Sequence, residues 1–297
     1  MTGLMAMAAV ASACGGSSRP SRSVGPGTSV SSPVTVTVPA ADPTTTSTTA
    51  APTTTTTPPR PAPVPTPVTR PRATPATTAA GSQAVHATAC RSNLANTLSH
   101  TGSASQLITV ESSGYPNTVA NLETWERSGG CWQRVDGPWT ARIGDNGFSD
   151  HHVEGDSTSP TGAYGIGPVM YGNAPDPGVK EPYHRLVCGD WWDEDPRSPD
   201  YNTFQHVRCG TTPPFGGGSE ALWTEPRPYP SFAVVDYNTD PARPYDGSAI
   251  FLQADTGSST DGSVSLPVGE LDEVLRWIDP AARPLIVMGP VQEISQF

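Results

Sequence analysis

Basic side chains are scarce in this 297-residue sequence: 17 Lys and Arg stand against 28 Asp and Glu, a formal net charge of −11. The imbalance is uneven along the chain. Five Arg and one Asp precede Val85, so the remainder holds 12 basic and 27 acidic side chains, a balance near −15. A surface of that sign excludes nucleic acid and an anionic membrane face as partners. It is compatible with a ligand bearing free amines. Near the N-terminus the apolar stretch Leu4 to Ala13 is too brief to cross a hydrocarbon core of about 30 Å. From Gly15 to about Gln83 large apolar side chains almost vanish, leaving Thr, Pro, Ser and Ala. Such a segment cannot bury enough surface to offset its ordering entropy, so 15–85 reads as a disordered linker. Cysteine is sparse as well, five in all, and no pair has the Cys-x₂₋₄-Cys spacing of a zinc site.

The small residues Ala11-Ser12-Ala13 immediately precede Cys14, and the stretch resembles a bacterial lipoprotein cleavage box. Residues 1–14 are then a signal peptide and Cys14 a lipidated membrane anchor, with simple cleavage and secretion as the alternative. Extended at about 3.1 Å per residue, the proline-rich linker would reach on the order of 200 Å from that anchor.

The folded part begins at about His86 and runs to Phe297, with all seven Trp and four of the five Cys, enough for one sizeable core. A short helix is expected over Cys90 to Leu98. Strand signatures follow at Gln106–Val110, Val119–Trp125 and Trp132–Val135, punctuated by Ser113-Gly114, Ser128-Gly129-Gly130 and Asp136-Gly137-Pro138. That spacing predicts a mainly β domain, sandwich or barrel, with a few short helices. Ser231–Val235 and Leu285–Met288 read as later strands. Cys90, Cys131, Cys188 and Cys209 form an even set in an exported chain, which favours disulfides. Three pairings are open; Cys90 with Cys131 and Cys188 with Cys209 keeps each partner in one half of the domain.

The loop from Gly144 to Gly167 carries His151, His152, Glu154 and Asp156. Adjacent side chains of an extended chain point to opposite faces, so His151 and His152 make poor joint ligands and no metal site is expected. Gly155-Asp156-Ser157 has the form of an esterase nucleophile block but lacks a buried strand before it.

The most informative stretch is Gly247 to Leu275. Ala249-Ile250-Phe251-Leu252 suits a buried strand. A polar loop follows, in which Gly257, Asp261 and Gly262 accept positive φ at little cost. It displays Ser263 at the edge of a second short strand, Val264–Leu266, which Pro267 ends. Leu271, Val274, Leu275 and Ile278 then form one apolar helix face, stopping before Asp279-Pro280.

This order resembles the active-site segment of the L,D-transpeptidase catalytic domain, the cysteine transpeptidases that cross-link peptidoglycan stem peptides. Sequences of its secreted actinobacterial branch read as a strand ending in His, a Gly/Ser/Thr loop, then Gly-Cys-Val. Here Gln253 stands at the His position and Ser263 at the Cys position. Glu154-Gly155-Asp156, Ser159-Pro160-Thr161-Gly162, Trp191-Trp192-Asp193 and Tyr201-Asn202 resemble further parts of the family in the same order, over about 106 to 290. The resemblance implies an L,D-transpeptidase-like β fold, stem-peptide ligands, no cofactor, and an exported protein facing the cell wall. A monomer is expected. Carried over by position, Ser263 and Gln253 are the catalytic pair, backbone N–H groups at Gly262 and Ser263 stabilise an oxyanion, and Trp192, Tyr201 and Asn202 border the substrate.

The two departures change the chemistry. A thiol of pKa near 8.5 is readily made a thiolate, whereas a serine hydroxyl needs a base within hydrogen-bond reach, and Gln253 cannot take a proton. Asp261, two residues before Ser263, is a weak base when solvated. The expectation is a cleft that binds and does not catalyse. The alternative is a serine acyltransferase, for cross-linking or lipoprotein attachment, with a base from elsewhere such as His184 or His206.

Overall fold

The computed structural model describes residues 89–297; the expected signal peptide, Cys14 and the linker lie outside the described residues. A meander of three strands opens the fold: β1 (Gln106–Ser112), β2 (Val119–Ser128) and β3 (Cys131–Arg142). Two very short strands, β4 (Phe148–Ser149) and β5 (Ser159–Pro160), pair in parallel and bracket the loop between them. The long β6 (Gly162–Gly172) follows, with β7 (Tyr183–Arg185) parallel to it. A small antiparallel sheet comprises β8 (Asp190–Asp193), β9 (Thr203–His206) and β10 (Glu220–Ala221). The last third supplies β11 (Phe232–Val235), β12 (Phe251–Ala254), β13 (Val264–Leu266), helix α1 (Val268–Trp277) and β14 (Leu285–Pro290).

The large sheet runs β11-β12-β13-β3-β2-β1-β14-β6-β7, and β11 also pairs with β6. That second pairing closes eight strands into a hydrogen-bonded ring, which removes exposed edges. The fold is therefore mainly β, and between sandwich and barrel it is the barrel. Period-two alternation explains its two cores. Ile108, Val110, Ile286 and Met288 face the inner cluster, while Leu107 and Val287, from the same strands, pack outward with Trp125, Trp132 and Ile294. On α1, Leu271, Val274 and Leu275 are all buried in the inner cluster, and the helix ends at Trp277 before Asp279-Pro280, where the periodicity placed its end.

Several details differ from the sequence-based expectation. The turn expected at Asp136-Gly137-Pro138 lies inside β3, where the ladder with β2 shifts register around Thr124. The helix expected at Cys90–Leu98 is a single 3₁₀ turn, Ala95–Thr97, because the Asn93 and Asn96 side chains bond to nearby backbone groups, including those of Trp132. Local side-chain bonds of this kind compete with helix. The loop expected to run to Gly167 ends earlier, at β6, whose glycines sit beneath Asp236 and Val234.

Both preferred disulfides are present, Cys90–Cys131 and Cys188–Cys209, with Cα separations of 5.4 and 5.2 Å. They are the mark of an oxidising compartment. The first ties the chain's entry to the start of β3; the second closes the segment carrying β8 and β9. Replacing Cys188 and Cys209 together by Ala is expected to lower unfolding free energy by roughly 3 kcal/mol, and Cys90 with Cys131, which closes the longer loop, by somewhat more. Urea titration of the full chain and both double variants measures the order.

Candidate functional site

The β12–β13 connection lies where the motif placed it. Gly257 and Gly262 hold φ of +96° and +144°, whereas Asp261 is not among the positive-φ residues. A Cβ on Gly262 would lie 2.9 Å from Thr158 O, so only glycine lets the loop between β4 and β5 close over the turn. Ser159 fastens that contact: its Oγ donates to Gly262 O at 2.5 Å and accepts from Gly144 N–H at 3.0 Å.

Ser263 is 7% exposed, and its hydroxyl is engaged on both sides. Oγ accepts from Phe251 N–H at 3.0 Å and donates to Ala249 O at 3.2 Å. No imidazole or carboxylate is hydrogen-bonded to it among the described residues. Gln253 is 8% exposed on β12, in register with Ser265. The Gly262 N–H donates to Thr260 Oγ1 at 3.2 Å, so one of the two expected oxyanion donors is already used.

Ser263 and Gln253 line a cleft of about 440 Å³ together with His152, Glu154, Glu194, Glu220, Ser248 and Asp261. Roomier grooves of 690 and 730 Å³ lie by the Cys90–Cys131 bridge and by Asp195–Phe215. The smaller cleft is the functional candidate because strongly perturbed acids and orphaned polar atoms converge there.

Trp192, Tyr201 and Asn202, expected at the substrate border, do not line it. All three are buried behind its wall. Trp192 Nε1 donates to Asn202 Oδ1 at 2.9 Å, and the same oxygen accepts from Ala249 N–H at 3.0 Å. Asn202 Nδ2 donates to Tyr237 O and Asn238 O, and Tyr201 OH donates to Glu154. These three side chains position Ala249 and Glu154, and through Ala249 they position Ser263. The proposed bases are elsewhere: His184 Nε2 and His206 Nδ1 lie 2.9 and 2.6 Å from the two oxygens of Asp190, and neither lines the cleft.

The imidazole that does line it is His152, with a side chain 3% exposed. Its Nδ1 lies 2.9 Å from Asp156 Oδ1, and its Nε2 is buried with no partner. Asp156 is in turn fixed by Val153 N–H, Thr158 N–H and Thr158 Oγ1. Burial drives the His152 pKa down, and attraction to Asp156 only partly offsets this. The ring is therefore neutral at pH 7, with its proton on Nδ1 toward Asp156 and a free lone pair on Nε2. His151 is exposed, lies in a turn and does not join it. Among the described residues no group of three or more His, Cys, Asp or Glu is arranged to share a metal ion.

Glu194, just after β8, and Glu220, on β10, come from the region of the small sheet, and the sequence reading singled out neither. Burial raises both, reinforced for Glu194 by Glu220, Glu154, Asp261 and Asp193, so that Glu194 reaches about 9 and is neutral at pH 7. The Tyr229 hydroxyl donates to Glu220 and limits its rise. Glu194 Oε1 is a second buried atom without a partner, and such an atom costs about 1–3 kcal/mol of stability.

In comparisons with known proteins, no family model and no curated protein matches the chain. One solved structure, the helical cell shape determining protein Pgp2 from Campylobacter jejuni, matches at 11% identity and a TM-score of 0.32. The match covers 65% of this chain and 53% of that one, so the chain spans about half the neighbour's length. A superposition this loose fixes neither fold nor function.

His152 makes stability depend on pH with a definite sign. Its folded pKa is below the ordinary 6.5, so below that pH the unfolded chain takes a proton that the buried ring refuses, and stability is lost as pH falls. His152→Gln is expected to lose less of its urea midpoint between pH 7 and pH 5 than the parent protein. Parallel slopes would remove His152 as the cause.

Proposed function

We propose that this is an exported, wall-facing protein with an L,D-transpeptidase-like domain that holds peptidoglycan stem peptides in the cleft and forms no acyl-enzyme. The observation that carries the second half is the pinned Ser263 hydroxyl: its proton is directed to the Ala249 carbonyl and its lone pair to Phe251 N–H. A nucleophile needs a base on that proton, and Gln253, the other family position, has none to offer. The first half rests on the order of motifs along the chain and on two disulfides. Cys14 as a lipid anchor and 15–85 as a tether complete the proposal, placing the domain within reach of the wall.

The rival reading, serine acyl transfer, has one observation in its favour. The neutral His152, oriented by Asp156, lines the same cleft, with its Cε1 edge 3.6 Å from where a Cβ on Gly262 would stand, while its partnerless Nε2 faces Gly247. It is not hydrogen-bonded to Ser263, which separates the arrangement from a working triad.

Intact-protein mass after incubation with a stem tetrapeptide or a reactive β-lactam distinguishes the two. The parent protein is expected to bind without covalent adduct, and a Ser263→Cys, Gln253→His double variant to gain an acyl adduct. An adduct on the parent that disappears in Ser263→Ala would establish the serine enzyme and overturn the binding reading.

A further inference from the structure

Gln253 lines the cleft from β12 and is 8% exposed, yet its side-chain amide makes no hydrogen bond among the described residues. The hydroxyls around it are all committed. Ser248 donates to Glu154, Tyr229 to Glu220, Ser259 to Asp145 and Thr260 to the Ser263 carbonyl, while Thr256 Oγ1 lies 3.4 Å from Ser258 Oγ. Ser263 itself is bonded on both sides. Gln253 is therefore the one hydroxyl or amide side chain of the lining left without a partner, where buried polar groups are as a rule paired.

The neighbouring strand repeats the observation. Leu252 and Ala254, and their register partners Val264 and Leu266, belong to the inner cluster. Period-two alternation turns Gln253 and its own partner, Ser265, to the opposite face. Ser265 is 1% exposed, and its Oγ is buried with no partner. Two adjacent strands thus bring unpaired polar side chains side by side, and of the two Gln253 lines the cleft. Its strand is paired on both sides, with β11 and β13, so the backbone beneath the amide is fixed.

A carboxamide presents an acceptor and a donor side by side, whichever way it is turned. The N–H and C=O of one residue in extended backbone project together to one side, as in a β ladder, and match it at both points. A free carboxylate has no donor for Oε1. It would also enter a lining that holds Glu154, Glu194, Glu220 and Asp261 and no Lys or Arg, so charge opposes it. An ammonium group would leave Nε2 unpaired. At about 440 Å³ the cleft is in the size range of small-ligand sites.

We infer that Gln253 is the anchoring group of the cleft, its carboxamide pairing with both the N–H and the C=O of one residue of an extended peptide ligand.

The inference deepens the stem-peptide reading and rests on it for the source of the peptide. The position that the family resemblance assigns to a catalytic His becomes a binding position. Its test is nitrogen-15 NMR titration of the full chain, with the Gln253 side-chain NH₂ signals identified by their loss in Gln253→Leu. A stem tetrapeptide and N-acetyl-L-alanine N-methylamide are each expected to shift those signals. O-acetyl-L-lactic acid N-methylamide, in which an ester oxygen replaces the alanine N–H, is expected to bind about tenfold more weakly than the diamide. Gln253→Leu is expected to weaken both peptides by about tenfold or more, and Gln253→Glu, of the same shape with the donor replaced by an oxygen, to do likewise. The urea midpoint of Gln253→Leu stays at the parent value or above, because no protein hydrogen bond is removed. A side chain with a structural role alone gives the reverse, stability lost and affinity kept. Equal binding of diamide and ester, or affinity that survives Gln253→Leu, overturns the anchor; a tetrapeptide still held by that variant leaves the stem-peptide reading standing. Binding of the diamide through Gln253 without binding of the tetrapeptide upholds the anchor and removes that reading. Absence of binding by either compound removes both.

Discussion

The hydroxyl of Ser263 is held between an N–H and a carbonyl of the strand beside it, and the form of the cleft depends on that bridge. Ala249 has a φ of +54°, which turns its carbonyl out of the regular ladder just before β12. Left alone, that oxygen and the Phe251 N–H would be buried and unpaired, a costly state for backbone groups. A serine hydroxyl is both donor and acceptor at about 3 Å and satisfies the two together. A thiol is a weaker donor and a weaker acceptor. Serine is thus a better residue than cysteine for closing this turn, and Trp192 and Asn202 hold Ala249 from behind so that the bridge keeps its geometry.

Most of the barrel was legible in the sequence. β1, β2, β13, α1 and β14 lie where apolar runs or helical spacing put them, because their apolar side chains fill the two cores; β12 begins at Phe251, two residues later than the apolar run from Ala249, whose φ of +54° lies outside the strand. The turn at Gly262 was legible for a related reason: glycine there is demanded by a backbone approach of 2.9 Å. What could not be read was the company that residues distant in sequence keep. His152 looked like half of an unworkable histidine pair until the loop folded onto Gly262 and made it a buried wall of the cleft. Glu194 and Glu220 carried no signal of their own, since nothing local distinguishes a glutamate that will be desolvated from one in water. Trp192, Tyr201 and Asn202 were expected to border the substrate, yet side-chain direction, which sequence does not reveal for short strands, put them behind the cleft's surface.

The acids and their hydroxyl partners divide the work of the cleft. Glu154 and Glu220 each receive a tyrosine hydroxyl, and for Glu220 that bond favours the charged form and limits the rise that burial imposes. Glu194 has no such donor at Oε1 and faces the others, so it is the member that takes the proton. A cluster of this kind stays compact when empty because its charge is reduced internally, without a metal or a lysine.

The part of the wall that carries Glu194 and Glu220 belongs to a different sheet from the Ser263 turn, so something must hold the two in register. Asp190, fully buried on β8, does this on the barrel side. One oxygen meets His184 on β7, which is hydrogen-bonded to the barrel strand β6, and the other meets His206 on β9. On the far side the Cys188–Cys209 bridge closes the same segment. Reduction of that bridge leaves the barrel ring intact, because none of its eight strands is cross-linked by it. It frees the segment that presents Glu194, so the geometry of the cleft depends on an oxidising environment more directly than the barrel does.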